Sequence, residues 1–232
     1  MKGRGIRSYV PGRFAATTAV EIDDGWHSSE PEGESTVRPK TVVSDEMARS
    51  IISRNNSPDV GLSMARRSLV SVYFSITTLA NRLAAKMEPR AAAPHARLRA
   101  MRTLHEAGIP VGVLVAPVIP MVNDKELERI LEAAREHGVR SQGAGSHVLL
   151  RLPHELAQLW REWLELHYPE RANHVMSLIQ QMRGGKDYDS SFGKRMVGEG
   201  PFAQLIVQRF AAAYRRLGFG RMPGPSNSES AR

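Results

Sequence analysis

The sequence contains no cysteine. That excludes disulfides, zinc–thiolate sites, thiol nucleophiles and cysteine-held iron–sulfur clusters. Aromatic residues are scarce, at 6%, which predicts an aliphatic core. No apolar run approaches the ~18 residues that cross a bilayer. The opening MKGRGIRSYVPGRF is basic but lacks the apolar stretch of a secretory signal. We therefore expect a cytoplasmic protein with no membrane partner. There is no G-x-S-x-G, and Arg-Gly-Gly-Lys at 183–186 is not a phosphate-binding loop, which needs G-x4-G-K-[ST] after a strand. His147 and His154 flank a strand end, but two imidazoles without a carboxylate at ligand spacing do not make a metal site. No residue is assigned as catalytic or metal-ligating.

What is present is a chain of 232 residues, 41% hydrophobic and 24% charged, which suits one large domain or one domain with a loose appendage. The net charge is +8 and unevenly placed: residues 63–110 hold 8 basic and 2 acidic side chains, and residues 151–232 hold 12 and 8. Residues 1–62 and 111–150 are each at −1. A localised basic face fits DNA or another polyanion, or is simply a solvated helix face.

Residues 1–62 show neither helical nor strand periodicity, and Gly25–Lys40 is rich in Gly, Pro, Ser, Thr, Asp and Glu; the region reads as extended and largely irregular. A short helix or strand is possible around Asp45–Ile52. The first convincing strand is Val70–Ile76. Thr77-Thr78 leave it for a helix over Leu79–Met87, which Pro89 stops. A second helix over Pro94–Ala107 begins on its proline. It buries Leu98, Met101 and Leu104, with Arg97, Arg99 and Arg102 on other faces. Val111–Val115 reads as a parallel strand buried on both faces, broken by Pro117 and Pro120. Asn123 with Glu126 resembles a capping box opening a helix over Asp124–His137. A Gly/Ser loop leads to a third strand, His147–Arg151. Helices from Pro153, over Glu170–Met182 and over Pro201–Leu217 follow, and 220–232 reads as a disordered tail.

The expected fold is α/β: an incomplete (β/α) barrel of about three parallel strands over 63–152, with flanking helices and a C-terminal helical extension over 153–219. Three strands cannot close a barrel, so the Val70–Ile76 edge is expected to be free and open to self-association.

FSITTL, KMEPR, EAGIPVGVLVAPVIPMVND, VLLRLP and MRGGKDYDSSFGKRM together resemble radical S-adenosylmethionine proteins, in particular the bacterial group related to spore photoproduct lyase and described as DNA repair photolyase-like. KGRG, GRF, DDGW and IISRNNSPD near the start fit the same group. The resemblance implies S-adenosylmethionine and a [4Fe–4S] cluster held by C-x3-C-x2-C after the SPD-like turn, with two further strand–helix units before the FSITTL strand. Here SPDVGLSMARRSL runs directly into that strand, as in an internal deletion, a decayed gene copy or a misread frame. The extra SQGAGSH before VLLRLP also departs from the pattern. With no cysteine the chain is expected to lack the cluster and lyase activity.

On this resemblance Ser75, Thr77, Pro117, Asn123 and Arg151 are candidate cofactor contacts at the strands' C-terminal ends. Ser75 has the alternative of capping the next helix, Pro117 of ending a strand, Asn123 of an N-cap and Arg151 of a surface charge. Arg183, Lys186, Asp187 and Tyr188, in a polar loop freed by two glycines, are candidate substrate or nucleic-acid contacts. Glu88 and Arg90, around Pro89, form either a structural ion pair or a substrate-side element.

Overall fold

The computed structural model describes residues 18–22, 41–43, 65–66, 70–140, 145–190 and 194–219. The expectations for Asp45–Ile52, for the junction at 57–64 and for the 220–232 tail lie outside them. Five strands form one sheet in the order β2-β1-β3-β4-β5. They are β1 (Thr18–Ile22), β2 (Thr41–Val43), β3 (Val70–Ser75), β4 (Val111–Val118) and β5 (Gly145–Leu149). The last three are parallel, with Val72 beside Val111, Ser75 beside Leu114 and Val113 beside Gly145. This is the open α/β sheet with flanking helices that the alternation of elements predicts.

Its edge differs from expectation. β1 runs antiparallel to β3, with Ala19 opposite Tyr73 and Ile22 opposite Val70, and β2 pairs with β1. The β3 edge is therefore paired from within the chain rather than free. Five- and three-residue strands are too short for periodicity to reveal them.

Seven helices are described: α1 (Asn81–Met87), α2 (Pro94–Glu106), α3 (Leu127–Glu136), α4 (Leu156–His167), α5 (Ala172–Gln181), α6 (Lys194–Val197) and α7 (Gly200–Arg216). The 3-10 turns Asp124–Glu126 and Pro169–Arg171 precede α3 and α5. Each long helix buries one stripe: Leu98, Met101 and Leu104 on α2, Leu127, Ile130, Leu131 and Ala134 on α3, Ile206, Phe210 and Tyr214 on α7. These meet Val72, Phe74, Val111, Val113 and Val115 of the sheet in one mainly aliphatic core.

Two strand boundaries move. β4 does not stop at Pro117. Its pairing with β5 is irregular between Val115 and Val118, and resumes at Val118 opposite Leu149. The irregularity accommodates a proline, which has no N–H to give the ladder. The Ala116–Pro117 peptide is cis. β5 begins two residues earlier than expected, inside the Gly/Ser loop. A β-carbon on Gly145 would stand 2.9 Å from Tyr214 Cε2, so the α7 ring crosses the strand where only glycine leaves room. Past β5, α7 packs on both β5 and α3. Arg209 clamps Glu128 at 2.7 Å through both Nε and Nη2 and donates to the Asp124 carbonyl, and Arg216 meets Glu132 at 2.6 Å. Among the described residues no helix is long and apolar enough to cross a membrane.

Candidate functional site

The C-terminal ends of β3 and β4 converge on a buried polar network. Arg97, 5% exposed, sends Nη1 to the Ser75 carbonyl at 2.8 Å and Nη2 to Glu88 Oε2 at 2.9 Å. Far from lying on an outer face of α2, Arg97 points into the sheet's end, and the ion pair that Glu88 forms here is with Arg97, nine residues on, rather than with Arg90. The other Glu88 oxygen is 2.9 Å from Thr77 Oγ1.

The Ala116 carbonyl is 3.0 Å from both Ser75 Oγ and Thr77 Oγ1. Ser75 donates its proton there. The single proton of Thr77 then goes to the Glu88 carboxylate, the stronger acceptor.

Asn123 closes the network. Its Nδ2 donates to the Thr77 carbonyl at 2.7 Å and to the Pro117 carbonyl at 2.8 Å, while Oδ1 accepts the Ile119 amide at 2.7 Å. It makes no capping bond to the following turn. The capping-box reading fails because Glu126 faces the other way. The Glu126 carboxylate accepts Thr78 Oγ1 at 2.9 and 3.0 Å and the Leu79 amide at 2.7 Å, tying the exit of β3 to the start of α3. Ala80 N–H then donates to Thr78 Oγ1 at 3.0 Å, starting α1.

Four of the five candidate cofactor contacts, Ser75, Thr77, Pro117 and Asn123, are thus brought together. The side chains of Ser75, Thr77 and Asn123 are turned inward, onto protein partners. The cleft lined by Ile76, Thr77, Thr78, Glu88 and Arg97 has no room for a water molecule. Arg97 is the network residue that the sequence pattern leaves on an outer face, although it stands beside the Leu98/Met101 stripe, and Glu126 carries a different role from the capping-box one its spacing suggests.

Arg151 belongs to a second cluster at the end of β5. Its Nη2 donates to Tyr188 Oη at 3.2 Å, and its guanidinium lies 5.8 Å over the Tyr188 ring. Arg183 is 2% exposed and donates through Nη2 to the Leu150 carbonyl at 2.9 Å. Burial and, after it, the neighbouring Arg151 push the Arg183 guanidinium below its ordinary value, with Asp189 and Tyr188 opposing. Asp187 receives both bonds from Arg161 Nη2, at 2.8 and 2.9 Å, and one from Gln180 Nε2 at 3.0 Å. Burial works against its charge, and these hydrogen bonds outweigh it, so its carboxyl lies below the ordinary range. Lys186 is exposed. Of the four loop candidates, Arg183 and Asp187 have structural partners within the protein, Tyr188 faces Arg151, and Lys186 points to solvent.

The network from Ser75 to Glu126 lies inside a recognisable segment. Residues 49–134 match the model of the Radical SAM superfamily. The chain is also 37% identical over 86 residues to a protein named Uncharacterized protein ORF301 from Acidianus two-tailed virus, covering 35% of this chain. That alignment spans 29% of the viral protein's length. No solved structure is significantly similar to this chain. The superfamily implies S-adenosylmethionine and a [4Fe–4S] cluster. The donor set here does not fit the cluster: the sequence has no cysteine, and the described residues hold no group of three or more His, Asp or Glu placed to bind a metal. His147, the most buried imidazole among the described residues, packs against Phe210 at 4.7 Å with Nε2 unpartnered, and burial pushes it down to about 4.

Proposed function

We propose that this chain is a relative of spore photoproduct lyase and DNA repair photolyase-like radical SAM proteins that works without cluster chemistry, as a nucleic-acid- or nucleotide-binding module. The observation that carries this reading is a superfamily match over 49–134 in a chain with no cysteine. In cluster-bearing relatives the protein positions cofactor and substrate around the open iron. In this chain the residues at the corresponding strand ends hold one another. Ser75, Thr77 and Asn123 supply structure, and Arg97 with Glu88 neutralises the charge buried beneath them.

The relation to the photolyase-like group rests on the motifs FSITTL, KMEPR and EAGIPVGVLVAPVIPMVND, and the binding role on the basic excess of residues 63–110. Incubation with S-adenosylmethionine and a strong reductant after iron–sulfide treatment should give no 5′-deoxyadenosine, while DNA should bind at low salt. Reductive cleavage of S-adenosylmethionine by this chain would contradict the first half, and absence of DNA binding at low salt the second.

A further inference from the structure

We infer that the exposed surface of α1, α2 and the turn between them, carrying Arg82, Lys86, Arg90, Arg99 and Arg102, is the surface that meets nucleic-acid phosphates. This rests on the binding role proposed above and gives it a location away from the strand ends. Residues 81–110 contain six basic side chains and two acidic ones, Glu88 and Glu106. One acid, Glu88, is buried and already neutralised by Arg97, which is buried with it. Within residues 81–110, five exposed cations are therefore set against one exposed acid, Glu106. His95 and His105 are the titratable groups among them.

Arg82, Arg90, Arg99 and Arg102 make no side-chain hydrogen bond or ion pair among the described residues, and Lys86 rests 5.5 Å from the Tyr168 ring. Elsewhere, Arg161 is engaged by Asp187, Arg209 by Glu128 and Arg216 by Glu132, while the exposed Lys125, Arg129, Arg140, Arg171, Lys186 and Arg215 are spread over separate elements. Residues 81–110 thus hold a local excess of unpaired positive charge.

Spacing and residue type suit phosphate. Arg82 and Lys86 are four apart on one helix, and Arg99 and Arg102 three apart on the next, so each pair has β-carbons about 5–6 Å apart on one face. Four of the five are guanidinium groups, which bind phosphate oxygens through two parallel N–H donors. A lipid surface fits less well. A helix lying on a membrane presents large apolar side chains beside its cations. Here the exposed neighbours are Asn81, Ala85, Pro89 and Thr103, and the apolar residues Leu83, Met87, Leu98, Met101 and Leu104 are buried in the core. Nothing on this face reads bases, so binding should be independent of sequence.

Fluorescence anisotropy of the full chain with short duplex DNA, over a range of salt, tests this. A variant with Arg82→Glu, Arg99→Glu and Arg102→Glu should bind at least tenfold more weakly at low salt. The slope of log K against log salt should shrink by about 2.7, at roughly 0.9 per lost phosphate contact. The alanine triple variant gives the same slope change without added repulsion, and circular dichroism verifies both folds. Arg140→Glu with Arg171→Glu, exposed cations elsewhere, should leave binding as it was. Loss of binding in that control but not in the triple variant overturns the location. Binding to phosphatidylserine vesicles but not to DNA overturns the partner. Failure of the unaltered chain to bind DNA at low salt overturns instead the binding role on which the location depends.

Discussion

Glu126 holds Thr78: its two carboxylate oxygens take the threonine hydroxyl at 2.9 and 3.0 Å, across 48 residues of sequence. The same carboxylate takes the Leu79 amide. One side chain at the start of α3 thereby shapes the turn out of β3. Glu126→Ala leaves a buried amide and hydroxyl without partners and should lower stability by about 2–4 kcal/mol. Glu126→Gln keeps an acceptor and should cost less. Chemical denaturation of both variants checks the order.

The Glu88–Arg97 pair is buried on both sides, with side chains 4% and 6% exposed. Removing one partner strands the other charge. Arg97→Met alone should cost about 3–5 kcal/mol, and adding Glu88→Leu should recover much of it. A double-mutant cycle measures the coupling. A single variant as stable as the parent would show that the pair is not buried as described.

Gly145 and Tyr214 meet where no β-carbon fits. Gly145→Ala should destabilise the protein by about 1–3 kcal/mol through overpacking. Tyr214→Leu in that background should relieve part of the clash. Thermal unfolding of the single and double variants would show the non-additivity.

His147 makes stability depend on pH. Its folded value is about 4 against 6.5 for the free imidazole, so as pH falls the unfolded chain takes up this proton first. Its contribution is complete above pH 6.5, declines below it, and levels off below about pH 4. The full span is about 3 kcal/mol. His147→Leu should flatten the stability profile between those limits, as read by denaturant titrations at several pH values.

The parallel strands were legible because β-branched and apolar runs mark β3 and β4 directly, and Pro94 marks the start of α2. The site was legible only as a list of residues. Ser75, Thr77, Pro117 and Asn123 do lie together, but their partners are carbonyls and carboxylates set by tertiary packing. Asn123 and Glu126 have the spacing of a capping box, yet their bonds run to Thr77, Pro117, Ile119, Thr78 and Leu79. Arg97 was placed on an outer face because a charged residue is rarely buried. Glu88, which neutralises it, becomes its neighbour only once the chain has turned after α1. β1 and β2 escaped because a short strand in polar surroundings carries no period of its own, and its pairing with β3 is long-range.

Anaerobic treatment of the purified full chain with iron and sulfide, followed by iron counting and absorption spectroscopy, tests the central claim most directly. We expect no stoichiometric iron and no sulfide-to-iron charge-transfer band after desalting, because the sequence offers no thiolate. A stable, stoichiometric [4Fe–4S] cluster on this chain would contradict the account.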